Sequence, residues 1–309
     1  MEHDDPHIPS YEKNCQRSST NWDERTQRLL HGIDAANLCT HGGDLRIKLW
    51  SEWAQMLNTL GGAGELLAIT GNDCVVLGHT RVYPELEFCQ SFRHAHSTDG
   101  AFDFEFVPWA SATAVAKTQG DASRWMLEFR DISGAVIHKI CLTERSQFGP
   151  FAEWVQYHQE VPQAPSPASP VPPSRWRTIQ QRHWFDYEEV ECARPDAVVS
   201  LLKAAMEEDI PVNVVVGNEG VVQAADFIPR KIQPFDAWTF ISDDVVGLHL
   251  HADALVDTIV HHAPGNGDTE PFPTLKCFDD HGCLRLAITA PTYGAVPYWS
   301  QFLTSTVLS

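Results

Sequence analysis

The chain has 309 residues, more than one ordinary hydrophobic core organises, and it suits two domains of about 150 residues each. Hydrophobic residues make up 43% of it, with 10 Trp and 15 Phe, which excludes global disorder. A formal net charge of −19, with no Lys/Arg run longer than Arg230-Lys231, repels phosphate backbones and excludes nucleic acid as a partner. The opening Met-Glu-His-Asp-Asp-Pro has neither a basic nor an apolar leader character, and no stretch approaches the roughly 20 apolar residues of a membrane span. The expectation is a cytoplasmic protein with no membrane insertion. Its eight cysteines are scattered, with no C-x-x-C pair, as expected of reduced thiols used as small hydrophobes.

Residues 1–21 are polar and read as a poorly ordered terminus. A first unit, residues 22–161, follows. In it Ser51 is the predicted N-cap of a helix over Glu52–Leu60, whose Trp53, Met56, Leu57 and Leu60 share a face and which stops at Gly61-Gly62. Leu67–Val76 (LAITGNDCVV) reads as a hairpin whose Gly-Asn-acidic turn supplies positive φ. His94-Ala95-His96 reads as a polar loop before the strand Phe102–Phe106 (FDFEF). Leu127–Leu142 (LEFRDISGAVIHKICL) is a second hairpin, and Phe148–Glu160 an amphipathic helix. The run 162–174, PQAPSPASPVPPS, cannot build helix or sheet ladder and reads as an extended tether.

A second unit, residues 175–309, repeats the same phrases. Trp176–Glu189 has helical character and many aromatics, and Asp196 is the predicted cap of a helix over Ala197–Asp209. Asn213–Val222 (NVVVGNEGVV) matches the first hairpin, and Leu275–Ile288 (LKCFDDHGCLRLAI) matches the second, at nearly equal separations. Duplication of one antiparallel unit is the economical explanation. The fold class is therefore α+β: two tandem repeats, each an antiparallel β-sheet with flanking helices.

Leu45–Asn72, Leu127–Leu142, Val212–Gln223, Gly247–Pro264 and Thr274–Leu284, five phrases in order across residues 45–300, resemble the two-repeat HemS/ChuS/ChuX-like haem-utilisation proteins of bacteria. The resemblance implies a strongly curved sheet in each repeat and haem held beside the second one. It also implies an axial histidine in a helix of pattern W-x-x-x-x-x-x-H-x-F. Trp176–Phe185 (WRTIQQRHWF) matches, which places His183 as the iron ligand with Trp184 and Phe185 beside it against an apolar macrocycle. Haem is thus the implied cofactor, and a haem-transfer protein or an electron donor the implied partner. The sequence departs from the family where an Arg is usual on the far side of the iron: FDFEF offers Asp103 or Glu105. The R-K-P-like position reads His262-Ala263-Pro264, so cations for the propionates are missing there. His94, His96 or Arg93 are the candidates for a donor above the iron. Nothing in the sequence places them there, so haem binding or trafficking is favoured over oxygenase-like degradation.

Two other readings stand beside this one. Loss of the Arg/Lys partners fits a decayed haem scaffold that serves as a non-haem ligand-binding or interaction module. His249-Leu250-His251 puts two imidazoles on one face of a strand and, with His261 or His262, gives a metal-binding alternative. No G-x-S-x-G, P-loop lysine or strand-to-helix G-x-G-x-x-G supports a hydrolase or a nucleotide enzyme, and Gly61-Gly62-Ala63-Gly64 follows a helix as a C-terminal turn.

Overall fold

The computed structural model describes residues 38–41, 44–50, 52–88, 93–119, 122–159, 190–194, 196–262, 273–291 and 299–308. Ser51, the tether 162–174, the helix expected over Trp176–Glu189, and His183, Trp184 and Phe185 lie outside them.

The first repeat runs through β1 (Leu38–His41), β2 (Asp44–Leu49), α1 (Trp53–Asn58), β3 (Gly64–Gly71) and β4 (Val75–Val82). A three-strand meander follows, β5 (Leu86–Phe88), β6 (His94–Ser97) and β7 (Phe102–Glu105). Long strands β8 (Trp109–Gln119), β9 (Ala122–Asp131) and β10 (Val136–Ser146) then lead into α2 (Phe148–Tyr157). The second repeat has the same order: β11 (Val190–Cys192), α3 (Ala197–Glu208), β12 (Val212–Gly217), β13 (Val221–Phe227) and a meander of β14 (Lys231–Phe235), β15 (Trp238–Ser242) and β16 (Val246–Leu250). It closes with β17 (Asp257–His261), β18 (Thr274–Phe278), β19 (Leu284–Thr289) and α4 (Trp299–Val307).

All strand pairs are antiparallel, and the strands build two sheets that each draw on both repeats. One has ten strands, β1-β2-β8-β9-β10-β3-β4-β16-β15-β14, and the other nine, β11-β17-β18-β19-β12-β13-β7-β6-β5. Each repeat therefore lends its meander to the edge of the other's sheet. β4 pairs with β16 through Val76↔His249, and β13 pairs with β7 through Val222↔Asp103. The expectation of one sheet per repeat is refined accordingly. The cores largely follow the repeats, α1 and α2 packing with Leu66, Ile140 and Phe104 and α3 and α4 with Val214, Leu286 and Leu248, but Val221 joins the first core and Cys74, Val75 and Leu77 join the second.

Local chemistry accounts for the element ends. The first helix is shorter than its apolar periodicity predicts, because the glycines tighten the chain into a 3-10 turn over Leu60–Ala63, and Gly64 at φ 79° redirects it into β3. A Cβ on Gly64 would lie 3.2 Å from the Arg145 carbonyl oxygen. Asp196 precedes α3 but does not cap its backbone; its carboxylate accepts from Ser200 Oγ at 2.8 Å. The Asp-rich hairpins are true copies of one another. Asp131 Oδ1 accepts from the Ser133 and Ala135 amides with Gly134 at φ 86°, and Asp279 Oδ1 accepts from the His281 and Cys283 amides with Gly282 at φ 70°.

The Gly-Asn-acidic turns work differently from the positive-φ expectation. Neither glycine nor asparagine has positive φ in either turn. Instead Asn72 Oδ1 accepts from the Cys74 and Val75 amides, and Asn218 Oδ1 from the Gly220 and Val221 amides, all at 3.0 Å. The amide ends reach across the boundary between the repeats. Asn72 Nδ2 donates to the Gly217 and Arg285 carbonyls (3.0 and 2.9 Å), and Asn218 Nδ2 donates to the Gly71 and Ile137 carbonyls (3.0 and 2.7 Å). Gly71 is needed for close approach, since a Cβ there would meet Val76 Cγ2 at 2.9 Å.

A buried relay lies in the first core. His138 on β10 is 1% exposed, with Nδ1 2.9 Å from Thr70 Oγ1 and Nε2 3.2 Å from the Tyr83 hydroxyl. Phe102, Phe104, Trp109 and Phe129 surround the ring, and burial pushes its pKa down to about 3.

Two predictions follow from these contacts. Removing the Asn218 amide as Asn218→Ala is expected to cost about 2–4 kcal/mol in urea unfolding, from lost turn and cross-repeat bonds. Asn218→Asp keeps the turn acceptor but sets an oxygen against two carbonyls, and should be at least as damaging; equal stability of that variant would show that the amide does not bridge the repeats. The second concerns acid. His138 and His249, whose pKa burial lowers to about 4, bind a proton more readily unfolded, with pKa near 6.5, than folded. These two imidazoles therefore leave stability unchanged above about pH 6.5 and lower it below, by up to about 1.4 kcal/mol per pH unit each. Urea midpoints measured from pH 6.5 to 5 should decline, and His138→Gln should flatten the slope by one proton.

Candidate ligand faces

Strand register defines two rows across the nine-stranded sheet. Val260, Leu275, Ile288, Val214 and Ala225 face the second core. Their alternates, Cys192, Ile259, Lys276, Ala287, Val215 and Ala224, form a row on the outer face from β11 to β13. Beside that row Phe278 and Leu284 pair across β18 and β19 and pack with Val222 and Ile259. This apolar cluster is separate from both main cores.

The exchanged meander extends the outer face with residues of the first repeat. Asp103 lies opposite Val222, and His96 opposite Asp103. β7 alternates as a strand should: Phe102 and Phe104 are buried in the first core, so Asp103 and Glu105 take the other side. Asp103 is hydrogen-bonded to His94 Nε2, and Glu87 lies 3.0 Å from His96 Nε2. His94-Ala95-His96 is thus strand and not loop, with Ala95 fully buried between the two imidazoles. Burial pushes the Glu105 carboxyl up, against the opposing pull of the Val107 amide, His94 and Arg93. Lys276 is the cation of this face. It is 6% exposed, its Nζ has no hydrogen-bond acceptor among the described residues, and burial lowers its pKa to about 8.

The equivalent face of the ten-stranded sheet carries a cleft of about 610 Å³ near the repeat boundary, lined among others by Ile69, Val76, Lys139, Trp238 and His251. His249 lies in β16, buried with its ring 4.8 Å from that of Phe240; His251 follows the strand, 5.2 Å from the Trp238 ring. His261 and His262 belong to the other sheet, one buried at the end of β17 and the other 3.7 Å from Glu191 Oε1. The histidines of the metal reading therefore lie at the ends of strands of two different sheets, β16 and β17. Among the described residues the cluster of three ligand-type side chains within 4.8 Å is Asp279, Asp280 and His281, two of them exposed in the β18–β19 turn.

Sequence reasoning missed Lys276 and His138. The signal for Lys276 was present in the repeat phrases, where Leu275-Lys276-Cys277 aligns with Leu127-Glu128-Phe129 and reverses the charge at one position.

Residues 33–160 match the family described as "Haemin-degrading HemS.ChuX domain". Over 278 residues, 78% of this chain and 79% of the relative, the chain is 24% identical to the "Hemin transport protein HmuS" of Yersinia pestis. Among solved structures it is similar to holo-PhuS, a heme-binding protein from Pseudomonas aeruginosa, with a TM-score of 0.72 at 18% identity, covering 84% of this chain and 86% of that one. It is also similar to ChuS, an E. coli heme oxygenase, with a TM-score of 0.71 at 16% identity, covering 84% and 88% of the two chains. These likenesses bear out the two-repeat fold.

Proposed function

We propose that this chain is a divergent member of the HemS/ChuX family that binds haem on the outer face of its second sheet, for trafficking in preference to degradation. The observation that carries the reading is the partly exposed apolar row of Ile259, Ala287, Val215, Ala224 and Val222 on that face, backed by the buried Phe278 and Leu284 in a cluster that serves neither repeat's core. Flat apolar ligands bind against such surfaces. His183, with Trp184 and Phe185, is the proposed axial ligand, on the strength of the W-x-x-x-x-x-x-H-x-F resemblance. Bound haem would supply redox-active iron; the chain's own groups decide what is done with it.

Those groups favour binding. A carboxylate has no proton to donate, and Asp103 and Glu105 stand where the resemblance expects an arginine. His94, a candidate donor, is already engaged by Asp103. A haem-transfer protein is the proposed partner, and the cytoplasm the proposed location. No described helix is long and apolar enough to cross a membrane. The same two acids, in a chain of net charge −19, favour the second reading, a scaffold that has lost haem.

Titrating hemin into the purified full-length protein separates the readings. The expected outcome is a shifted Soret band at one equivalent, with His183→Ala weakening binding at least tenfold and changing the ligation spectrum. A parent protein without a Soret change would end the haem reading, and a His183→Ala spectrum identical to the parent's would end the ligand assignment.

A further inference from the structure

Lys276 sits at the middle of the outer row, with Ile259 and Ala287 as cross-strand neighbours and Val215 and Ala224 beyond them. None of these is an acid. The corresponding residue of the first repeat, Glu128, is equally buried at 4% exposure but fully answered: Arg130 and Arg46 reach its Oε2 at 2.8 and 3.3 Å. Burial alone would raise the Glu128 carboxyl, yet the Arg130 hydrogen bond and the charges of Lys139, Arg130 and Arg46 hold it below the usual range. One repeat has thus compensated the buried charge at this position, and the other has reversed its sign and supplied no counter-ion among the described residues.

Leaving a buried ammonium uncompensated is costly, and an apolar side chain like its neighbours would fill the row without that cost. The chain has 41 Asp and Glu against 22 Lys and Arg, so an internal acid partner is not scarce. We propose that Lys276 anchors a carboxylate of a planar, mainly apolar ligand lying over Ala287, Val215 and Ala224; this deepens the haem reading and rests on it for the choice of macrocycle. Val222 and Ile259, partly exposed over the buried Phe278 and Leu284, take the ligand's body, and the ammonium supplies the charge-assisted bond that the missing R-K-P cations do not. Because burial has lowered the amine to about pH 8, binding of an anion also draws the proton back onto it.

The test uses metal-free protoporphyrin IX and its dimethyl ester, titrated by fluorescence into the full-length parent, Lys276→Met and Lys276→Arg. The parent should bind the diacid at least tenfold tighter than the ester. Lys276→Met should lose that preference while keeping its affinity for the ester, and Lys276→Arg should keep it. From pH 8 to 10 the parent's affinity for the diacid should fall, by at most tenfold per unit, whereas the Arg variant stays flat. Lys276→Met should also unfold at an equal or higher urea midpoint, since it removes an unanswered charge. Equal affinity of parent and Met variant for the diacid, or a large drop in the Met variant's midpoint, would overturn the inference. A diacid preference kept by a protein that gives no Soret change with hemin would sink the iron reading alone, and failure of the parent to bind either porphyrin would end both.

Discussion

Two asparagine side chains hold the repeats in register. Each closes its own turn with Oδ1 and donates with Nδ2 to the glycine carbonyl of the other turn, so the two hairpins meet in a reciprocal exchange at the centre of the molecule. The second bond of each amide goes to the equivalent strand of the opposite repeat, to Arg285 at the head of β19 and to Ile137 on β10. A buried backbone carbonyl left without a donor is costly. Neither turn can therefore move without stranding groups in the other. With the turns locked, β4 and β13 present their free edges outward to the partner repeat's meander, and the strand exchange follows from that placement.

The exchange determines who furnishes the ligand faces. The outer side of the second sheet is floored by β17–β19, β12 and β13 but edged by β7 and β6, so Asp103, Glu105, His94 and His96 of the first repeat belong to a surface of the second. The reciprocal edge of the first sheet receives His249 from β16, at the position matching Asp103, with His251 just after the strand. A substitution in one repeat thus alters the chemistry of the other's face. The acids that depart from the family pattern are of this kind.

The duplication was legible because it is carried by turn chemistry, which is local: Gly-Asn-acidic and Asp-x-x-Gly are compact signals, and helices such as Phe148–Tyr157 announce themselves by period. The exchange was not legible, since alternation along β7 or β16 says which residues share a face and nothing of which edge the strand joins. His94-Ala95-His96 shows the limit in small. Its polarity and the turn residues after it suggest a loop, while the buried Ala95 between two outward imidazoles makes it the middle strand of a meander. The Asn turns mislead in another way, for the residue types are right and the reason is different: side-chain hydrogen bonding and close packing, with no positive φ. Likewise the spacing in His249-Leu250-His251 is that of a metal site, but the third ligand lies in another sheet.

Comparing the two repeats position by position then gives the site an electrostatic argument that neither half offers alone. At the centre of the first face, Arg46 and Arg130 both reach the Glu128 carboxylate, so the buried acid there is paired within its own repeat. At the centre of the second, the aligned residue is an ammonium among Ile259, Ala287, Val215 and Ala224, without an acceptor among the described residues. Two copies of one unit under the same packing constraints would be expected to solve the same burial problem alike. Packing cannot be the cause of the difference, because the backbone, register and burial are shared; the difference lies in charge alone. In a chain this acidic the retained cation selects for an anion, and the apolar cluster beside it selects for one with a hydrophobic body. Duplication has in this way left one repeat with its buried acid paired from within and made the other dependent on what it binds.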